Sequence, residues 1–254
     1  MNLKIKPTEF DEVREQIKEH LHSLSSAIDS FLEDHILESA HYQLFVSDEE
    51  AGFAAIHKGS LVTQFSHLPP FRKYGQAVFS QVKKLEEVQA AFVPTCDEFF
   101  LSHALDDYRQ LNKQAYFFAA SPELPEYPSS YALRRAVESD IELIREGSGD
   151  FFGDIKTYVD KQKLFLVLLE NKCVAFGLME KSALLDGVAS IGMFVTEPFR
   201  QRGVGTATLR LLMDECKKQN VRPIAGCWYY NHLSKKTLER AGMFTQTRLL
   251  KIEF

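Results

Sequence analysis

The sequence predicts a mixed α/β protein made of two consecutive copies of one unit. Three observations carry that prediction. Short apolar strands alternate with amphipathic helical stretches in a similar order in each half. The stretch "PPFRKYGQAVF", residues 69–79, resembles "EPFRQRGVGTATL", residues 197–209. Pro70, Phe71, Arg72 and Gly75 align with Pro198, Phe199, Arg200 and Gly203 at one constant offset. Between the halves lies "SPELPEYPSSY", whose three prolines read as a linker. A repeat this long means duplicated domains rather than a solenoid. The expected division is 1–120, a linker at 121–130, and 131–254. Such a connector is expected to be exposed and cleavable. The second half should then keep its ligand after cleavage, unless the halves share a large apolar interface.

In the first half, residues 3–21 read as a strand and a helix. Residues 42–66 hold two or three strands with turns at Asp48–Glu50 and Gly59. A helix starts in 69–87, 90–96 is a strand, "SHALDDYRQL" (102–111) a helix and "QAYFFAA" (114–120) a last strand. Cys96 and Cys227 are expected at the ends of equivalent strands. In the second half, residues 131–144 read as a short strand and a helix capped by Ser139 or Glu138. Residues 152–162 form a second short helix. "LFLVLLE" and "CVAFGLME" form a hairpin, and "VASIGMFV" (188–195) is the next strand. In the helix over 206–219, Leu209, Leu212, Met213 and Cys216 share one face. Lys217 and Lys218 complement its dipole. "PIAGCWYY" (223–230) is a strand, "SKKTLERAGM" (234–243) a helix ended by Gly242, and 244–254 a final strand.

A chain of 254 residues with 45% apolar content can bury sizeable cores. Its first residues lack an apolar h-region, so no signal peptide is expected, and no apolar run spans a bilayer. Cys96, Cys173, Cys216 and Cys227 form no C-x-x-C pair, which suits reduced thiols in a cytoplasmic protein. The histidines make no metal pattern. The net charge of −5 hides an asymmetry: residues 1–127 carry −9 and residues 128–254 carry +4. Basic runs with interleaved aromatics are absent, which argues against nucleic acid. A basic second half suits a small anionic ligand.

The glycine stretch at 197–209 lies between a strand and a helix. A helix start presents unpaired N–H groups and a positive dipole end. Glycine lets a phosphate approach those groups, and Arg200 and Arg202 can add charge-assisted hydrogen bonds. The stretch therefore suits a diphosphate, or else is a simple tight turn. No Gly-Lys-Ser/Thr follows, so it is not a Walker loop. Thr208 replaces the third glycine of a dinucleotide fingerprint, and no acidic residue stands in "VRPIAGCW".

"RQRGVG", residues 200–205, resembles the Q/R-x-x-G-x-G/A motif of the GNAT superfamily of N-acetyltransferases. The segment from Asn231 to Met243 resembles the second signature of that family, and the resemblance covers about 131–254. It implies an α/β fold of two tandem GNAT domains, each a mixed, mostly antiparallel twisted sheet flanked by helices. It implies acetyl-CoA as cofactor. Arg200, Arg202, Gly203, Val204, Gly205 and Thr206 would hold the pyrophosphate. Backbone groups of Phe194 and Val195, with Asn231, would hold the pantetheine arm. The first half resembles a degenerate copy: "RKYGQA" (72–77) keeps the motif, but Tyr74 replaces a small or basic residue. No asparagine stands in 96–108.

Acetyl transfer to an amine needs a deprotonated nucleophile, a polarised thioester carbonyl and a protonated leaving thiol. The resemblance assigns carbonyl polarisation to the Val195 N–H. The family's usual thiol-protonating tyrosine is replaced by Leu238. Tyr229, Tyr230 and Ser234 stand close enough to substitute, though both tyrosines also suit strand packing. "SIGMF" offers no acid, which leaves Glu180 and Asp186 as candidate bases. The acceptor end falls in 147–158. There Phe151 and Phe152 can form a pocket wall or pack in the core, and Asp150 and Asp154 can attract an ammonium group. The expected activity is N-acetylation of a primary amine of a small molecule. The alternative is a non-catalytic CoA-binding or interaction protein.

Overall fold

The computed structural model describes residues 2–85, 87–123 and 130–254. Most of the linker expected at 121–130 lies outside the described residues.

The first half runs β1 (Leu3–Thr8), α1 (Phe10–Ser23), α2 (Ser30–Leu37), β2 (Ser39–Val46), β3 (Glu49–His57) and β4 (Leu61–His67). It continues with α3 (Gly75–Val82), β5 (Ala90–Pro94), α4 (Glu98–Ala104) and β6 (Gln110–Ala120). The second half runs β7 (Ala132–Arg135), α5 (Ile141–Ser148), α6 (Ile155–Asp160), β8 (Leu164–Leu169), β9 (Lys172–Lys181) and β10 (Val188–Val195). It ends with α7 (Val204–Lys218), β11 (Arg222–Trp228), α8 (His232–Arg240) and β12 (Met243–Glu253). The two hairpin turns at Ser47–Asp48 and Glu170–Asn171 place both central residues at positive φ, which matches the twist of the strands they join. Gly242, at φ 90°, follows the last turn of α8 and takes a conformation a side chain disfavours.

The structure departs from expectation at four local points. Helix α2 falls in a segment for which no element was expected; Asp29 caps it, accepting from Leu32 N at 3.1 Å. Helix α4 lies earlier than 102–111, because Asp97 caps it by accepting from Phe100 N at 3.0 Å. The chain from Gln110 onward is drawn into β6 by pairing with β12. The N-cap of α5 is Asp140, not Ser139 or Glu138; its carboxylate is held by Arg134 and by the Val137 N–H at 2.8 Å. Cys96 lies two residues beyond β5, whereas Cys227 lies inside β11.

The twelve strands of the described residues form one sheet, in the order β1-β2-β3-β4-β5-β12-β6-β11-β10-β9-β8-β7. The halves exchange their last strands. β12, from the second half, lies between β5 and β6 of the first; β6 lies between β12 and β11 of the second. Each half therefore completes the other's sheet, a shared interface of the kind that the expectation of a separable second half made its exception. Alternate residues of β6 show the layering. Tyr116 and Phe118 pack under α7 and α8, while Ala115 and Phe117 pack under α1 and α2. Helices α3, α4, α7 and α8 cover one face, and α1, α2, α5 and α6 cover the other. Among the described residues no helix is long and apolar enough to cross a membrane, and no cluster of metal-ligating side chains occurs.

Candidate active site

Each half has one pair of parallel strands that part company. β10 and β11 pair only over Val188–Ser190 and Arg222–Ile224. β4 and β5 pair only over Leu61–Val62 and Ala90–Ala91. Beyond those residues the strands diverge and a cleft opens, because no further ladder holds them.

In the second half the cleft is open. A cavity of about 210 Å³ lies between the strands, lined by Gly192, Met193, Gly226, Cys227, Ser234 and Leu238 among others. Leu209 of α7 lines it too, and Gly205 in the first turn of that helix packs against the lining residue Met193. Gly203 is exposed, with φ 81°, and a Cβ placed on it would meet nothing within 4 Å. No side chain caps α7, so the first-turn N–H groups after Gly203, those of Val204, Gly205 and Thr206, remain available to an anion. The second glycine does a different job. A Cβ on Gly205 would lie 3.1 Å from Thr237 Cγ2 and 3.3 Å from Met193, so it lets α7 pack closely. Arg200 donates from Nε to the Val195 carbonyl at 3.1 Å and lies over the Phe194 ring. Arg202 lies over Phe199. Both arginines are exposed beside Gly203.

Strand geometry sorts the pantetheine-side expectation. Thr196 N donates to Val174 on β9 at 3.2 Å. Backbone groups alternate along a strand, so the Val195 N–H and carbonyl point to the open edge. Phe194 directs its backbone to its partner Phe176 on β9; Met193 shares the orientation of Val195. Phe194 contributes its ring instead, 4.8 Å from that of Phe151. Asn231 lines the cavity and caps α8 by accepting from Ser234 N at 3.0 Å, leaving its amide NH₂ to the cleft.

The catalytic candidates separate. Ser234 lines the cavity, one helical turn before Leu238, which is buried there. Tyr230 is half-exposed beside Trp228, outside the lining. Tyr229 packs under α7 and α8, stacked on Tyr116 with centroids 4.6 Å apart. The Tyr116 hydroxyl, then Lys113, hold its phenol below the ordinary value. Glu180 does not line the cavity; it bonds Lys163 at 2.9 Å. Asp186 pairs with Lys18 at 3.6 Å, exposed on a turn. Asp154 caps α6, with both oxygens taken by Thr157. Phe152 is core, whereas Phe151 is exposed. Burial pushes the Cys227 thiol up to about 11, which keeps it from acting as a thiolate at neutral pH.

In the first half the equivalent cleft is closed over its glycine, and a smaller cavity of about 120 Å³, lined by His20, Ser66, His67 and Arg72 among others, remains beside β4. Gly75 is helical, and a Cβ on it would lie 2.2 Å from His103 Nε2 and 2.8 Å from Phe99 Cζ. Both intruding rings come from α4 and pack against Phe65 and His67. Asp97 caps α4 as Asn231 caps α8. Its second oxygen bonds His20 Nε2 at 2.7 Å, and His20 Nδ1 meets Ser66 Oγ at 3.1 Å. His20 thus ties β4 to the end of β5.

Two family models cover the chain in tandem. An acetyltransferase (GNAT) domain matches residues 9–121, and the acetyltransferase (GNAT) family matches residues 125–243. The chain belongs to the GNAT acetyltransferases. Solved structures agree on the fold over its whole length. A GNAT-family acetyltransferase from Colwellia psychrerythraea superposes with a TM-score of 0.89 at 18% identity, covering 99% of each chain. A tandem GNAT protein of the clavulanic acid biosynthesis pathway gives 0.64 at 13% identity, over 100% of this chain and 98% of that one. A GCN5-related N-acetyltransferase from Sphaerobacter thermophilus gives 0.61 at 16% identity, over 99% and 95%. No curated protein matches the chain in sequence.

The second half of this GNAT protein fits acetyl-CoA on its own geometry. The open Gly203, the uncapped α7 start and two exposed arginines suit the pyrophosphate. The unpaired edge of β10 suits an amide-bearing arm.

Sequence reading missed one neighbour of this cleft. Asp29, on α2 of the first half, reaches Gly226: a Cβ on that glycine would lie 1.7 Å from Asp29 Oδ2. The local signal was Asp29 itself, a residue type that favours N-caps, ahead of the apolar spacing Leu32 and Ile36.

Proposed function

We propose that the protein is an acetyl-CoA-dependent N-acetyltransferase that uses its C-terminal domain to acetylate a primary amine of a small molecule. The observation that carries this reading is the pairing of a ligand-accessible Gly203 with a cavity between β10 and β11. Bound acetyl-CoA would supply an activated acetyl thioester. Gly203, Val204, Gly205 and Thr206 then hold the pyrophosphate, with Arg200 and Arg202 supplying charge. The Val195 N–H, on the open edge of β10, polarises the carbonyl. Asn231 offers its free amide to the pantetheine arm. Ser234 is the hydroxyl inside the cavity and takes the place of the missing tyrosine as a proton relay; Tyr230 serves at the rim and Tyr229 packs behind it. Phe151, Trp228 and Tyr230 are exposed at the cleft and offer an apolar surface to the body of the amine. The four free thiols suit a reducing compartment such as the cytoplasm.

The test is thiol release from acetyl-CoA in the presence of a panel of primary amines, with the products identified by mass spectrometry. The expected outcome is amine-dependent thiol release and an acetylated amine. A protein that binds CoA but releases no thiol with any amine would instead support the non-catalytic CoA-binding reading, for which Leu238 at the tyrosine position is the specific observation.

A further inference from the structure

Glu180 and Asp186, the carboxylates of the second half expected as bases, do not line its cavity. Along the cleft strands of that half, 188–195 and 222–228, no carboxylate occurs. Glu180, Asp186 and Asp154 are engaged elsewhere, as described above. The first half supplies what is missing. Helix α2 crosses the divide between the halves. Ser30 N donates to Ser190 Oγ on β10 at 2.9 Å. Glu33 accepts from Ala183 N at 2.7 Å and from the Ser182 hydroxyl, which clamps the loop before β10. Between these contacts and β11 sits Asp29, 7% exposed.

The two oxygens of Asp29 are not equivalent. Oδ1 accepts from Leu32 N and caps α2. Oδ2 occupies the space over Gly226 that any side chain there would need. Gly226 lines the cavity and is exposed to it. It shares its face of the sheet with the site where α2, Phe151 and Phe194 gather, opposite the face that carries α7 and α8. The cofactor's phosphates are held at the start of α7. An acceptor therefore comes from the other face, where Asp29 lies.

We propose that Asp29, contributed by the first half, is the general base for acetyl transfer in the cleft of the second half. The inference rests on the acetyltransferase reading. The amine nitrogen forms a bond to the thioester carbonyl carbon, and the carbon–sulfur bond breaks. The proton leaving nitrogen goes to Asp29 Oδ2, and the sulfur leaves as a thiol with a proton passed from solvent through Ser234. Amine plus thioester becomes amide plus thiol, and Asp29 returns its proton to solvent.

The environment suits that role. Burial pushes the Asp29 carboxyl up from 3.8 to about 7, against the lowering effect of the Leu32 N–H and its own backbone N–H, and Asp34 and Glu33 add repulsion. Phe117, paired with Gly226 on β6, packs with α2 on the same face and adds apolar bulk. Among the described residues no lysine, arginine or histidine forms an ion pair with Asp29. A base poised near neutral pH accepts and returns a proton most readily. The duplication also gains a role: the first half, its own cleft closed, completes the second.

The test uses the full chain and Asp29→Asn, which keeps the cap because asparagine caps as well as aspartate. Two readouts are needed. In the first, melting temperatures of both proteins are compared from pH 4 to 8. A carboxyl whose value rises on folding favours the folded state at low pH, and that advantage is lost between the unfolded and folded values. The wild type should therefore fall in stability relative to Asp29→Asn as pH rises from about 4 to about 7, then run parallel to it. Parallel curves throughout would overturn the proposal without any assay of activity. In the second, thiol release from acetyl-CoA is measured with the amine panel. Asp29→Asn should lose roughly 10²–10⁴-fold in kcat, with CoA affinity unchanged. The wild-type profile should show an acid limb near pH 7 that the variant lacks. Full turnover by Asp29→Asn beside an active wild type would refute the base and leave the acetyltransferase reading standing. A wild type inactive with every amine would remove both.

Discussion

The two clefts of this protein descend from one pattern and have opposite fates. Gly203 and Gly75 close the same short motif. The space over Gly203 is open, at a backbone conformation that glycine favours. The space over Gly75 is taken by His103 and Phe99. Asn231 and Asp97 cap equivalent helices. Asn231 keeps its amide free, while Asp97 spends its second oxygen on His20. The difference teaches that what stands over the motif glycine, not the glycine itself, decides whether that space is open.

The comparison can be broken most severely at the level of the whole sheet. A fragment of residues 131–254 loses β6, the strand between β11 and β12, and β12 loses both its neighbours. We expect it to lack a cooperative thermal transition, a loss equal to the whole stability, about 5–15 kcal/mol for a typical protein. Circular dichroism of the fragment, alone and co-expressed with residues 1–121, measures this. A fragment that melts cooperatively and binds CoA would mean the strand exchange is dispensable.

The glycine pair sharpens the contrast. Gly203→Glu places bulk and negative charge where a phosphate oxygen must sit, so CoA affinity should drop at least about tenfold, or 1.4 kcal/mol. Gly75→Glu should leave CoA affinity untouched and instead lower stability by about 1–3 kcal/mol, because its side chain must displace packed rings. Calorimetric titration and thermal melts of both variants decide between them. Equal losses of affinity would show that both clefts bind.

The smallest effect concerns the tie across the first cleft. His20→Ala should cost about 1 kcal/mol by leaving Asp97 and Ser66 without their shared partner, and should not alter CoA affinity. Isothermal titration checks it. A gain of a second CoA site would show that His20, not α4, closes the first cleft.

Much of this was legible from local pattern. The strand and helix order of the second half and the glycine-bearing turn before α7 depend on residues within a few positions of one another. Such signals survive in a bare sequence because backbone hydrogen bonding and periodicity are short-range. The misplaced α4 marks the limit of that reasoning: "SHALDDYRQL" has helical spacing, yet β12 captures its end as a strand.

The sequence by itself determined a duplicated α/β chain with one glycine-rich loop before a helix and one worn copy of it. Only the tertiary structure decided the strand exchange, the plugging of the first cleft and the meeting of Asp29 with Gly226. Ser30 bonds Ser190, 160 positions away, and Glu33 bonds Ala183, 150 positions away. Contacts at that separation leave no period or spacing in the chain. They exist because two half-sheets with unpaired edges bury more surface, and satisfy more backbone groups, together than apart.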